Sequence, residues 1–318
     1  MSADRLSTIL SKPWRSWLVA AAIPSAALLE LGAHVIQTCS VVGEADWKAA
    51  REYVAAQIRP DDLLTFAPRW ADPLGRQYFG ANLATIEREA RADESAFPRA
   101  FEVSIHGGHD PSLVEWRRTD RRRFGGVLVT TLENPAPVRV LDDFVSMAAS
   151  ASRVHVSIVQ GGAEVDCPFS RGAPGSGALG FGPAVAADRF ACPGGNLVAP
   201  TVLADPDYYP ARRCIYARPP GAGGTLRLRF LGVALGRSLR GHHALYAEAE
   251  QPAQGPPVTI AIGIEGSLVG QAVHRDGESW KEFEFDTSGY AGTHADVVVD
   301  IGAPSAERRM YCFEATSR

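Results

Sequence analysis

The sequence predicts an α/β plus all-β chain: a small three-layer α/β unit, then a β-sandwich, behind an N-terminal hydrophobic helix. Three observations carry this expectation. Between Glu44 and Glu133, segments of helical period alternate with short apolar runs, the pattern of a mixed layer. After Asn134-Pro135-Ala136-Pro137 the period drops to two and Gly and Pro become frequent, as short strands joined by tight turns require. Ahead of both, Arg5, Lys12 and Arg15 precede an apolar stretch from Trp17 to Leu29, a basic segment followed by a hydrophobic one.

That leading segment, residues 1–43, reads in two ways. One is a signal peptide cut near Thr38-Cys39-Ser40; the other is an uncleaved signal anchor, with the basic residues on the cytoplasmic side. Glu30, His34 and Gln37 interrupt its apolar character, whereas a spanning helix needs roughly 20 mainly apolar residues. Ile36-Gln37-Thr38-Cys39 is a poor lipoprotein attachment site. Both readings make the body extracytoplasmic, in the cell envelope, anchored or secreted. Cysteine usage agrees. Four of the five cysteines, Cys167, Cys192, Cys214 and Cys312, lie in the strand-rich half, and four allow three pairings. Cys167 with Cys192 closes a Gly/Pro-rich loop, and Cys214 with Cys312 ties an early strand to the last; this pairing is favoured. Neither pair has CxxC spacing, so no metal is expected.

Within the α/β unit, residues 44–133, Trp47, Ala50, Val54 and Ile58 recur at helical spacing, and Arg59-Pro60-Asp61-Asp62 ends that helix. Leu63–Ala67, Phe101–Ile105 and Val127–Leu132 read as strands, and Leu83–Ala92 and Ser112–Thr119 as helices. In the sandwich, residues 138–318, the strands are Val154–Ile158, Leu226–Phe230, Ala244–Glu250, Val258–Ile264, Trp280–Asp286, Asp296–Ile301 and Met310–Ala315. Short alternating strands with almost no helical period between them predict a jelly-roll-like sandwich.

Candidate sites are few. Arg117, Arg118, Arg121, Arg122 and Arg123 form a basic cluster relieved by Asp120. Guanidinium forks suit phosphate, so anionic lipid headgroups are a candidate partner. Aromatics crowd the C-terminus, and Trp280 and Tyr290 are the candidate platform for sugar rings. His106-Gly107-Gly108-His109-Asp110 reads as a turn, being an incomplete ligand set. Asp205-Pro206-Asp207 reads as a loop turn. There is no GxGxxG, GxxxxGK[ST], HExxH or GxSxG pattern, so no cofactor is expected and no catalytic residue can be named. A net charge of -4 argues against nucleic acid as a partner.

Two stretches resemble known families. Asp46-Trp47-Lys48-Ala49-Ala50-Arg51-Glu52-Tyr53-Val54, leading to Arg59-Pro60-Asp61-Asp62-Leu63-Leu64, is similar to the extracytoplasmic tail of polyprenyl-phosphate-sugar-dependent membrane glycosyltransferases of the dolichyl-phosphate-mannose mannosyltransferase type. Here an aspartate stands where that family usually has glycine. Those enzymes carry their acidic catalytic residues in a many-helix membrane part that this chain lacks, so the resemblance transfers no catalytic residue. Gly277–Thr287, with the strand at Val297–Ile301 and Arg309–Phe313, resembles the closing strands of jelly-roll carbohydrate-binding modules. The expectation is an envelope protein that binds a glycan or another surface component through its sandwich. The rivals are a glycan-modifying enzyme and an accessory subunit of a membrane glycosyltransferase.

Overall fold

The computed structural model describes residues 21–22, 24–34, 41–85, 88, 90–171, 188–205, 210–250 and 255–318. Most of the leading segment therefore lies outside the described residues, as do Pro206 and Asp207. Residues 24–34 are helical, with Leu28, Leu29 and Leu31 exposed. Among the described residues no helix is long and apolar enough to cross a membrane.

The first sheet has four strands, β1 (Asp62–Ala67), β2 (Arg99–Ile105), β3 (Arg117–Phe124) and β4 (Val127–Glu133), in the order β1-β2-β4-β3. β1 and β2 run parallel and the other pairs are antiparallel. Helices α1 (Glu44–Ala55) and α2 (Asp72–Phe79) cover one face. Trp47, Ala50 and Val54 of α1 meet Leu64, Phe66, Phe101, Val103 and Val129 there.

The opposite face carries a smaller cluster, Leu63, Ala100, Leu113 and Leu132. A single 3-10 turn at Pro111–Leu113 contributes Leu113 to it. Among the described residues the unit is thus a sheet with α1 and α2 on one face, two layers where three were expected. Two helix expectations also change. Of the helix expected over Leu83–Ala92, residues 83 and 84 form a turn and a bend and Arg88 is helical, while 86, 87 and 89 lie outside the described residues. A further helix, α2, stands earlier, where Asp72 and Pro73 open it, a start signal. Ser112–Thr119 gives only the 3-10 turn, because Arg117 onward pairs with β4 as an edge strand.

The remainder is mostly β and sandwich-like. One sheet has six strands: β6 (Val154–Gln160), β7 (Ala163–Asp166), β12 (Thr225–Ala234), β14 (Val258–Ile264), β15 (Ser267–His274) and β17 (His294–Gly302), ordered β15-β14-β17-β12-β6-β7. The second has eight. Its main path is β16 (Lys281–Asp286), β13 (Ser238–Leu245), β18 (Tyr311–Ser317), β11 (Ala211–Ala217), β10 (Leu197–Ala204), β9 (Asp188–Ala191) and β8 (Phe169–Arg171). The two-residue β5 (Asp142–Asp143) pairs with the end of β18. Helix α3 (Phe144–Ala148) follows β5, and α4 (Ala247–Glu250) follows β13. The strand expected over Ala244–Glu250 therefore stops at Leu245.

The two sheets enclose one core. Leu226, Leu228 and Phe230 alternate inward on β12, as do Ile260 and Ile262 on β14 and Val297, Val299 and Ile301 on β17. From the other sheet come Ile215, Leu239, Phe313 and Ala315. Gly241 is needed where it stands: a Cβ there would lie 2.2 Å from the Glu314 carbonyl oxygen.

Cys167 is bonded to Cys192, and Cys214 to Cys312, with separations of 25 and 98 residues. The second bridge spans neighbouring strands β11 and β18 on the outer face of the eight-stranded sheet. Cross-linking restricts the unfolded chain more when the closed loop is longer, about 3 kcal/mol for short loops and about 5 for loops near 100 residues. Replacing Cys214 and Cys312 by Ala should therefore lower the denaturant midpoint more than replacing Cys167 and Cys192. Equilibrium unfolding of both double variants checks this, and the reverse order would refute it.

Candidate functional site

The outer face of the six-stranded sheet holds a polar concavity. It is built by alternation: where Leu226, Leu228 and Phe230 point into the core, Arg227 and Arg229 point out. On β17 the outward residues are Asp296, Val298 and Asp300, and on β14 they include Ala261 and Gly263. Register sets these side by side. Arg227 lies opposite Asp300, which lies opposite Ala261; Arg229 lies opposite Val298, which lies opposite Gly263. The Gly263–Ser267 turn and Leu268 close one side, giving a cleft of about 640 Å³.

The cleft is charged but organised. Arg227 donates from Nε and a terminal nitrogen to the two Asp300 oxygens, both at 2.8 Å, a bidentate fork. Those bonds raise the pKa of Arg227 above its ordinary value, against the opposing effect of burial. Asp296 accepts from the Gly232 backbone N–H at 3.0 Å. Gly232 sits where the β12–β17 register shifts, with φ of 59°, a bulge conformation suited to glycine. Arg229 is exposed, and among the described residues it has neither ion pair nor hydrogen bond. At the adjoining edge, Glu164 is held below the usual carboxylate range, first by the Ser157 hydroxyl and then by the charges of Arg227 and Arg229. Leu268, 68% exposed, supplies an aliphatic wall.

The residues expected from sequence fall elsewhere. Trp280 does not offer a free ring. It lies parallel to His242, with centroids 5.4 Å apart, and the Arg212 guanidinium is 5.8 Å from its centroid. Its indole N–H donates to the Ala92 carbonyl at 3.1 Å. It therefore works as a junction residue, because the segment before β2 packs onto the eight-stranded sheet at this point. Tyr290 packs against the sandwich core. The basic cluster is strand β3: Arg117 pairs with Glu133 and Arg122 with Asp120, while Arg118 and Arg121 line a separate cleft.

His106 and Gly107 make a left-handed turn, with φ of 52° and 74°. His109 bonds to buried Glu102 at 2.7 Å. Asp110 is buried and bonds Thr65 and Ser112. Among the described residues no group of three His, Cys, Asp or Glu is placed to hold a metal. Arg227, Arg229, Asp296 and Asp300 were missed as site residues. The signal was present as outward charges inside Leu226–Phe230 and Asp296–Ile301, which a reading aimed at core positions passes over.

A second polar group lies between the sheets. His243 bonds the Tyr311 hydroxyl at 2.7 Å, and His274 bonds Glu250 at 2.7 Å. Glu250 also accepts from the backbone N–H groups of Leu245 and Gly277. On the outer side of the eight-stranded sheet, His242 bonds buried Glu314 at 2.7 Å. Burial pushes the Glu314 carboxyl up, against the pull of His242. Asp93 nearby is held low: burial alone would raise it, but the Arg318 charge and the Ser95 bonds outweigh burial. Opposed carboxyls suggest acid–base chemistry. Here the bonding partners of each carboxyl are structural residues of the junction.

The fold and the face together define a disulfide-bonded, sandwich-bearing protein with a charged cleft on one sheet. No protein-family model matches the chain, and no curated protein matches its sequence. Among solved structures it is similar to the CBM51 of Clostridium perfringens GH95, determined in complex with methyl-galactose. Identity there is 10%, TM-score 0.27, covering 47% of this chain and 92% of that one. It is also similar to a structure of the CBM51-2 and INT domains of Clostridium perfringens ZmpB, at 8% identity and TM-score 0.27, covering 56% of this chain and 40% of that one. A structure of the M60 catalytic domain of ZmpB with its CBM51-1 and CBM51-2 domains matches at 9% identity and TM-score 0.26, covering 61% of this chain and 21% of that one.

The buried histidine gives a pH signature. Burial, followed by the nearby His274, Lys281 and His242 charges, pushes the His243 imidazole down to about 2. The unfolded chain takes up this proton near an ordinary histidine value of about 6.5. Stability is thus full above that pH and falls on acidification, by up to about 1.4 kcal/mol per pH unit from this group. Denaturant midpoints of wild type and His243→Gln between pH 7 and 5 test it; the variant should show the shallower slope, and parallel curves would sink the idea.

Proposed function

We propose that this is an exported or membrane-anchored envelope protein that binds a glycan through the outer face of its six-stranded sheet. The carrying observation is the arrangement in one cleft of a bidentate Arg227–Asp300 pair, an exposed Arg229 guanidinium that is unpaired among the described residues, and the pinned Asp296 carboxylate. Planar charged groups at fixed spacing suit adjacent sugar hydroxyls, because each can donate or accept two hydrogen bonds at once. The aliphatic surface of Leu268, Val298 and Ala261 suits the C–H face of a ring. Few polar groups converging on a concave surface is the general form of a small-ligand site. The two disulfides support an oxidising compartment for the body.

Recognition on this face works through charge and hydroxyl geometry, since its lining residues include no aromatic ring. Glycan-array and titration measurements on the folded protein test the reading. Arg229→Ala and Leu268→Ala, both at exposed positions, should each weaken binding about tenfold, equivalent to about 1.4 kcal/mol, with the melting temperature unchanged. A blank array for well-folded protein, or variants that bind as wild type does, would discard the proposal.

A further inference from the structure

β3 presents two faces, and only one has its charges neutralised. A register shift between Arg118 and Asp120 re-aims the strand, as bulges do. Arg117 and Arg122 then stand opposite Glu133 and Val129, on the side where the helices pack. There Arg117 pairs with Glu133, Arg122 pairs with Asp120 at 3.3 Å, and the Tyr53 hydroxyl donates to Asp120 at 2.6 Å. Arg118, Arg121 and Arg123 stand opposite Leu132, Thr130 and Leu128, on the other side. Among the described residues these three guanidinium groups have neither ion pair nor hydrogen bond.

Arg118 and Arg121 line a cleft of about 290 Å³ over the face of the sheet opposite α1 and α2. His109 and Trp116 line it from the loop after β2, and Thr130 and Ser104 form part of its floor. The one carboxylate in the cleft, Glu102, is already engaged: it is bonded to His109 at 2.7 Å and accepts the Asp110 backbone N–H at 2.6 Å. A charged edge strand discourages edge-to-edge pairing between chains. That role needs charge on either face and does not account for arginines left unpaired over a cavity.

We propose that this cleft is a second ligand site, which takes a phosphate ester through the forked guanidinium groups of Arg118 and Arg121, with Thr130 and His109 at its sides. Arginine forks match phosphate oxygens in pairs. The phosphate could belong to a soluble ester or to a lipid headgroup, and the two sources can be separated by experiment.

The full chain is titrated calorimetrically with glycerol 1-phosphate, and sedimented with phosphatidylglycerol vesicles and with neutral phosphatidylcholine vesicles. Wild type should bind in at least one anionic arm. Binding to the soluble ester identifies a free phosphate ligand; binding to phosphatidylglycerol vesicles alone identifies a headgroup. Arg118→Ala with Arg121→Ala should weaken that binding at least tenfold, while Arg117→Ala with Arg122→Ala, which removes the same charge from the paired face, should stay within twofold of wild type. Arg118→Lys with Arg121→Lys keeps the charge and should still lose affinity. Matching melting temperatures show that the folds are intact. No binding in either anionic arm, equal losses from both alanine pairs, or full retention by the lysine pair would overturn the assignment.

Discussion

Everything on the six-stranded sheet depends on the register of three adjacent strands, β12, β17 and β14. Side chains in a strand alternate with period two, so one register decides both which residues fill the core and which face outward. Leu228, Val299 and Ile262 meet inside because Arg227, Asp300 and Ala261 meet outside. A slip of one residue in β17 would bury Asp300 and break the fork with Arg227. The core holds this register, since burying each large aliphatic side chain contributes about 1.5–3 kcal/mol. The charged face is thus kept in place by residues it never touches.

The eight-stranded sheet shows the opposite pattern for a physical reason. β18 is buried along its whole length and β13 nearly so. Their inner residues enter the core; of their outer residues, Arg240, Glu314 and Thr316 lie beside the segment that precedes β2, whereas Ala244 and Cys312 pack with Leu203, Tyr216 and Tyr246. Asp93 ties that segment down: it accepts from Arg318 at 2.9 Å and lies 3.6 Å from Arg240. Arg213 donates its backbone N–H to Ala90, and Arg212 and Trp280 donate to Arg91 and Ala92 carbonyls. Carbonyls that no strand or helix satisfies need such partners. Trp280 is consumed by this task, which removes it as a sugar platform. The Cys214–Cys312 bridge lies on the same covered face.

Strand periods after the linker were legible because one sheet keeps a wet face, and Val258–Ile264 and Asp296–Ile301 show it. The helix at Asp72–Phe79 was not, because Pro73 and Gly75 punctuate a segment too short for its period to register. The arginine run was legible as charge but not as strand; its hydrogen-bond partner β4 lies beyond a turn and its pattern is polar on both faces. Of the cleft on the six-stranded sheet, each outward residue was visible singly, and their meeting was not. Of the second cleft, Arg118 and Arg121 were visible only as members of a larger cluster.

Local alternation alone settled that Arg227, Arg229, Asp296 and Asp300 would face away from the core, since in a strand that choice belongs to near neighbours. Tertiary structure settled which of the two sheets kept its outer face open, which aromatic ring was taken up by the junction, and which arginines of β3 were left without an acid. Those outcomes depend on pairing between residues distant in the chain and on the docking of residues 90–97, and no local period encodes either.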